Sequence, residues 1–216
     1  MKVVRDFVPV TVKRALITVG DDWEYPSRII EASYTVDRAG LIRLSGDGSV
    51  EVAEGENIRL GHTLKDYGLI YSTNAGIFDP HGIEVGTPES SEPCLTDYGA
   101  CLFTQSTAEG CCIQRQIPGA AARTIVEPWG GYTDISNPWV CGRFVFCEAS
   151  INNDPHPDVW SIDLSSNKRE RWVENAACPC VWRGYLYYAD LSSWPEVSHH
   201  ATRLDERFSM VEVWQR

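Results

Sequence analysis

The sequence predicts an all-β fold made of repeated units, and three observations support that class. A Leu-x-Asp-Tyr-Gly motif occurs at residues 64–68 and again at 95–99, each time followed by an apolar, β-prone stretch that ends in Thr. Short alternating apolar stretches, separated by Gly, Asn and Asp turns, recur along the chain. No stretch sustains the 3.6-residue apolar period of an amphipathic helix.

The motif has two degenerate copies, at residues 137–142 and 178–184. In every copy a short strand precedes a turn glycine, and a strand rich in aromatic or β-branched residues follows it. The turn glycines, spaced 31 to 43 residues apart, are Gly68, Gly99, Gly142 and Gly184. Glycine fits such turns because it has no Cβ to strain a positive φ.

The unit around Gly142 is the clearest of the four. Its predicted strands cover residues 143–150, 158–164 and 169–175, and a further strand lies before Gly142. Four short antiparallel strands in roughly 40 residues are typical of a β-propeller blade, which buries its faces only against neighbouring blades.

We therefore predict a single-domain, small β-propeller with five blades of about four antiparallel strands each. The predicted blades, in order, are residues 14–56, 57–89, 90–134, 135–177 and 178–216. Within the first blade, the Gly-Asp-Gly at 46–48 predicts a hairpin turn. Residues 1–13 are predicted to form a strand that helps to close the ring. The alternatives are a two-sheet β-sandwich and a propeller completed by another chain.

Residues 142–172 resemble the TolB-type, WD40-like propeller repeat. They run from a glycine through an apolar strand and a polar loop to Asp-Val-Trp-Ser-Ile-Asp-Leu at 158–164, followed by a turn. The resemblance implies a propeller fold. It implies no catalytic residues, because the motif is structural and occurs in proteins with unrelated functions.

Charge and hydropathy limit the partners. The chain has 19 Lys and Arg against 30 Asp and Glu, a formal charge of −11. This acidic balance disfavours nucleic acid and anionic membrane surfaces as partners.

No apolar run approaches the roughly 20 residues of a membrane-spanning helix. Charged residues interrupt the apolar N-terminal stretch, which is unlike a signal peptide. We expect a cytoplasmic protein, or for a viral protein one found in the host cytoplasm and then in the virion.

Most of the eight cysteines lie in apolar, strand-like stretches, where a free thiol acts as a small hydrophobe. We expect buried thiols, with disulfides and a metal site as the alternatives. The sequence contains no Cys-x-x-Cys, so the spacing typical of a zinc site is absent. The cysteines are Cys94, Cys101, Cys111, Cys112, Cys141, Cys147, Cys178 and Cys180.

Three polar-aromatic loops, at residues 127–134, 151–158 and 191–200, are predicted to share one face of the propeller. Exposed Trp and Tyr side chains are good anchors for proteins or sugars. The alternative is that these aromatic side chains fold back and cap the blade ends. The candidate binding residues are Trp129, Tyr132, Asp154, His156, Asp158, Trp194 and His199.

The sequence predicts no catalytic residues, metal ligands or cofactor. Asp-Pro-His occurs at 79–81 and at 154–156, but the two copies are predicted on opposite faces, which favours turn chemistry over a shared metal site. There is no Gly-x-Ser-x-Gly nucleophile elbow. No first strand of a blade carries an obvious inward-facing acid of the kind that five-bladed glycosidases use.

The functional prediction is a non-catalytic interaction or structural subunit with protein partners in a larger assembly, for example a viral or phage tail component. The first alternative is a lectin-like, glycan-binding propeller. The three aromatic loops are not copies of each other, which disfavours one sugar site per blade. The second alternative is a glycan-acting or metal-dependent hydrolase.

Overall fold

Alternating apolar residues form strands throughout the part of the chain that the computed structural model describes. That part comprises residues 3–64, 68–73, 76–78, 84–86, 94–95, 101–116, 120–152 and 154–208. It contains nineteen β-strands and one 3₁₀ helix, Glu206–Phe208. None of its helices has the length and apolar character needed to cross a bilayer.

The strands form three four-stranded sheets and one seven-stranded sheet, and all neighbouring strands run antiparallel. The first strands are β1 (Val3–Pro9), β2 (Arg14–Gly20), β3 (Arg28–Val36) and β4 (Leu41–Glu54). One sheet contains β5 (Arg59–Leu64), β6 (Gly68–Thr73), β7 (Gly76–Phe78) and β8 (Glu84–Gly86). The next contains β9 (Cys94–Leu95), β10 (Cys101–Thr107), β11 (Gly110–Gln116) and β12 (Arg123–Val126).

The last two groups of strands follow the same order along the chain. One sheet contains β13 (Asp134–Cys141), β14 (Phe144–Ser150), β15 (Asp158–Asp163) and β16 (Lys168–Val173). The final strands are β17 (Ala176–Trp182), β18 (Tyr185–Asp190) and β19 (Ser198–Arg203). The strands predicted at 143–150, 158–164 and 169–175 are therefore confirmed as β14, β15 and β16, to within two residues at each end.

Two of the predicted turn glycines are confirmed by their backbone. Gly142 has φ 57° between β13 and β14, and Gly184 has φ 77° between β17 and β18. Gly68 begins β6, whereas Gly99 lies outside the described residues, as does much of the chain between 65 and 100.

The hairpin predicted at Gly46-Asp47-Gly48 is wrong. β4 continues through this segment as one strand, and β3 pairs with both of its halves, through Ser33 with Ser45 and through Glu31 with Val50. The Gly-Asp-Gly segment is instead a bulge, where four residues of β4 lie opposite one residue of β3. A local turn signal gives way here because β3 is long enough to pair on both sides of the bulge.

The first and last groups of strands join in one sheet, with the order β1-β2-β3-β4-β19-β18-β17. The junction pairs Ile42 of β4 with His199 of β19. The sheet folds back on itself, so that the Phe7 ring of β1 stacks on the Tyr187 ring of β18 at 5.7 Å between centroids. Because these two groups share one sheet, the count of five blades remains a prediction.

The largest apolar core fills the space inside this folded sheet and extends to β13 and β14. The 3₁₀ helix closes it, because the buried Phe208 ring packs against Phe144, Phe146 and Trp172 at 4.4 to 5.3 Å between centroids. A second core lies between the sheets of β10 and β14.

Six cysteines with described side chains are buried free thiols, which confirms the predicted burial for these positions. Burial raises the pKa of the Cys141 thiol to about 11. It also raises the pKa of the Cys147 and Cys178 thiols. Neutral, buried thiols are poor nucleophiles. The six are Cys111, Cys112, Cys141, Cys147, Cys178 and Cys180.

Candidate functional site

Three aromatic rings from three separate loops meet at one end of the molecule. Trp23 lies between β2 and β3, His156 between β14 and β15, and Trp194 between β18 and β19. Each loop joins a second strand to a third, and such loops emerge at the same end of antiparallel groups. Trp194 packs edge-on against both neighbours, at 6.2 Å from the Trp23 centroid and 6.1 Å from the His156 centroid. We call these residues the tryptophan cluster.

Within the tryptophan cluster, Trp23 is held in place by Arg5 and by a small apolar core. The Arg5 guanidinium lies 5.5 Å from the Trp23 ring centroid and donates a hydrogen bond to the Trp23 carbonyl at 3.3 Å. Trp23 also packs against a small core that contains Ala189 and Leu191. Trp194 is nevertheless 46% exposed, so an anchored aromatic surface faces solvent.

Trp129 and Tyr132 form a separate group with Trp160. The Tyr132 ring lies 5.1 Å from the Trp160 centroid and 5.6 Å from the Trp129 centroid. The Arg169 guanidinium covers the Trp129 ring at 4.7 Å. The group packs against the second core, and burial raises the pKa of the Tyr132 hydroxyl. These aromatic side chains pack on one another and on the second core, so they are partly buried.

Asp154 and Asp158 shape the backbone around them. The Asp154 carboxylate accepts a hydrogen bond from the His156 N–H at 2.9 Å, which confirms the predicted turn chemistry at 154–156. Asp158 accepts hydrogen bonds from the Arg171 guanidinium at 3.3 Å and from the Asn175 N–H at 3.1 Å. The other Asp-Pro-His, at 79–81, lies outside the described residues.

His199 lies apart from the other predicted binding residues, in the interior beside β1. Its side chain is buried, and Nε2 donates a hydrogen bond to the Arg5 carbonyl at 3.1 Å. Burial lowers the pKa of the imidazole, because desolvation disfavours the charged form. The ring is thus a neutral donor that ties β19 to β1.

A buried acid, Asp6, lies on β1. Asp6 of β1 accepts hydrogen bonds from the Thr18 hydroxyl at 2.9 Å and from the Leu60 N–H of β5 at 3.1 Å. Its signal in the sequence is a charge inside an apolar strand, between Val4 and Phe7.

Glu148 of β14 plays a similar part between the sheet of β13–β16 and the seven-stranded sheet. Its carboxylate accepts hydrogen bonds from the Ser136 hydroxyl at 3.0 Å, from the Asn137 side-chain amide and from the Cys178 N–H of β17. Asn137 and Cys178 both have positive φ and both lie at register shifts of their strands. Glu148, like Asp6, therefore cross-links strands of different sheets.

Among the described residues, no three His, Cys, Asp or Glu side chains are grouped so that they could hold a metal ion.

A cavity of about 820 Å³ lies at the other end of the seven-stranded sheet. Sequence reasoning missed it because its walls meet only through the pairing of β4 with β19. The lining includes four aromatic and three arginine residues: Tyr34, Trp182, Tyr185, Tyr187, Arg38, Arg183 and Arg203.

Comparison with solved structures establishes the fold class. The chain superposes on a chain of the crystal structure of a nidogen/laminin complex with a TM-score of 0.57 and 13% identity, over 94% of this chain and 76% of that one. It has the β-propeller fold. Weaker superpositions are found with the tricorn protease (TM-score 0.47, 11% identity, 92% of this chain and 26% of that one) and with a puromycin hydrolase mutant (TM-score 0.39, 15% identity, 87% and 33%).

Sequence comparisons add no family. No protein-family model matches the chain, and no curated protein matches it.

Proposed function

We propose that this chain is a non-catalytic β-propeller that serves as a protein-interaction or structural subunit of a larger assembly. The tryptophan cluster carries the proposal, because it gathers rings from three loops at one end of the fold and leaves Trp194 nearly half exposed. Tryptophans of this kind, rigidly held and surrounded by other side chains, are typical interaction hot spots.

The surroundings of the tryptophan cluster support this use. Tyr25 and Ile151, which lie in two of the same loops, are 64% and 49% exposed. Exposed large apolar groups at one end of a molecule favour association over solvation. The nidogen/laminin structure is by its description a complex of proteins, and it supports the proposal by fold analogy alone.

Two finer statements extend the proposal. The first is that the assembly is a virion or phage tail and that the protein is cytoplasmic before it is incorporated; this statement rests on fold analogy alone. Quantitative proteomics of purified particles tests it: a fixed copy number in the particle is expected, and absence from it contradicts it. The second is that the repeat is of the TolB type, which residues 142–172 support.

The general proposal is tested by native mass spectrometry of the tagged chain purified from its natural source. We expect defined protein partners at fixed stoichiometry. A chain that purifies alone, as a monomer, contradicts the proposal. In that case a glycan array becomes the next measurement, because an exposed tryptophan also stacks on sugar rings.

A further inference from the structure

The cavity at the end opposite the tryptophan cluster is built from turns that are distant in sequence. Val12 comes from the β1–β2 turn, residues 37–40 from the β3–β4 turn, and Arg183 from the β17–β18 turn, while β19 contributes residues 201–203. Its volume of about 820 Å³ falls within the range of about 300–1,000 Å³ that is usual for small-molecule sites.

Tyrosine rings form a fixed floor in this cavity. Tyr34 and Tyr187 are both buried, and their side chains are hydrogen-bonded to each other. The Tyr34 hydroxyl donates to the Thr11 carbonyl at 3.0 Å. Tyr185 lies 6.4 Å from Tyr187 between centroids and is 40% exposed, so it presents its ring to solvent. A floor of this kind suits a flat, apolar group.

Three exposed arginines surround the floor, in a chain whose formal charge is −11. Arg183 stacks over the Trp182 ring at 4.6 Å. Within the described part of the chain, the guanidiniums of Arg38 and Arg203 have no hydrogen bond and no ion pair. These two guanidiniums therefore keep their full donor capacity.

The single acid in the lining, Asp37, offsets little of this charge. Its Oδ1 accepts hydrogen bonds from the Ala39 N–H at 2.8 Å and the Leu41 N–H at 3.0 Å. Its Oδ2 lies 3.9 Å from the Arg43 guanidinium. The cavity is consequently a positive site on an acidic protein, and planar guanidiniums favour carboxylate and phosphate groups.

We propose that this cavity binds an anionic ligand with a flat aromatic body, an aryl phosphate or aryl carboxylate, whose ring lies on the tyrosine floor and whose anion contacts Arg38 and Arg203. The site does not depend on the proposed assembly function, because it lies at the opposite end of the strands. The aryl group has two sources, a free small molecule or a modified side chain of another protein, and the test separates them.

The test is isothermal titration calorimetry with phenyl phosphate. Two comparison probes are titrated in the same way: benzyl alcohol, which has a ring but no charge, and inorganic phosphate, which has charge but no ring. We expect saturable binding of phenyl phosphate, at least about tenfold tighter than of either comparison probe. The double variant Arg38→Gln/Arg203→Gln should weaken it at least about tenfold, whereas Arg123→Gln, which removes an exposed arginine from a different sheet, should not.

A short phosphotyrosine peptide identifies the source. Tighter binding of the peptide than of phenyl phosphate assigns the ligand to a protein, and equal or weaker binding assigns it to a free molecule. The proposal is overturned if phenyl phosphate shows no saturable binding up to about 10 mM. It is also overturned if the double variant binds like Arg123→Gln. Thermal melts of the variants confirm that they are folded.

Discussion

The backbone N–H of Ala201 donates to the Gly40 carbonyl at 2.8 Å, and a β-carbon on Gly40 would lie only 2.6 Å from the Ala201 carbonyl oxygen. This contact is the point where β19 meets the beginning of β4. Since the first and last groups of strands are joined through this short pairing, the closure of the seven-stranded sheet depends on a residue without a side chain.

Gly40→Ala should therefore weaken the closure. Gly40 has φ 86°, so alanine adds backbone strain to the clash with Ala201, and we expect a loss of about 2 kcal/mol or more in the free energy of unfolding. Gly46→Ala is the matched control, because nothing lies within 4 Å of a β-carbon there. Urea denaturation measures both variants, and equal midpoints would show that the junction does not hold the fold together.

Gly142→Val should disrupt folding. Gly142 has φ 57° in the turn before β14, a conformation that costs a β-branched residue well over the 1–2 kcal/mol typical of other side chains. Gly142→Asn, which tolerates this conformation, should lose roughly 1 kcal/mol or less. The measurement is the thermal midpoint of each variant. A valine variant as stable as the asparagine variant contradicts the assignment of this turn.

Glu148→Ala should destabilise the protein by about 3 kcal/mol or more. The change leaves the buried Cys178 N–H and the Asn137 amide without their acceptor. Glu170→Ala is a control on an exposed carboxylate that pairs with Arg207 at 2.8 Å, and it should cost at most about 1 kcal/mol. If chemical denaturation gives both variants the same loss, the carboxylate is not a structural cross-link.

The buried His199 predicts a pH dependence. Burial lowers its pKa in the folded protein below the usual value of about 6.5. As the pH falls through about 6.5, the unfolded chain takes up a proton at this position that the folded chain refuses, so the free energy of unfolding decreases. The loss continues until the pH reaches the lower, folded-state pKa.

His199→Gln removes that contribution and should flatten the pH profile between about pH 7.5 and 5.5. Val50→Ala, which removes an exposed side chain that does not titrate, should keep the wild-type slope. Denaturant titrations across this range give the comparison. Identical slopes for wild type and His199→Gln would mean that the imidazole takes up its proton as readily in the folded protein as in the unfolded chain.

The strands near Gly142 were predictable because β14, β15 and β16 are local: each is bounded by a turn that the neighbouring residues specify. The bulge in β4 was not, because it depends on the length of β3, a partner outside the turn itself. A turn signal such as Asp-Gly gives the local preference of the backbone, and pairing with β3 overrides it.

The site was predictable in part for the same reason. The loops that carry His156 and Trp194 could be placed at one end from strand order. Trp23 could not be predicted as their neighbour, because this contact requires the first and last groups of strands to join in one sheet. Asp6 becomes interpretable only once the Leu60 N–H of another sheet lies beside it. The cavity lined by aromatic and arginine side chains likewise exists only because β4 and β19 pair.

The most direct test of the central claim, that the tryptophan cluster binds a protein partner, compares three tagged chains purified from the natural source. They are wild type, Trp194→Ala and Val50→Ala, which removes an exposed apolar side chain from β4. Trp194→Ala should cost about 1 kcal/mol of stability, since it removes two edge-on ring contacts. The amount of partner protein that co-purifies with Trp194→Ala, measured by quantitative mass spectrometry, should be at least about tenfold lower than with wild type. Val50→Ala should retain its partners. Full retention of the partners by Trp194→Ala would contradict the account.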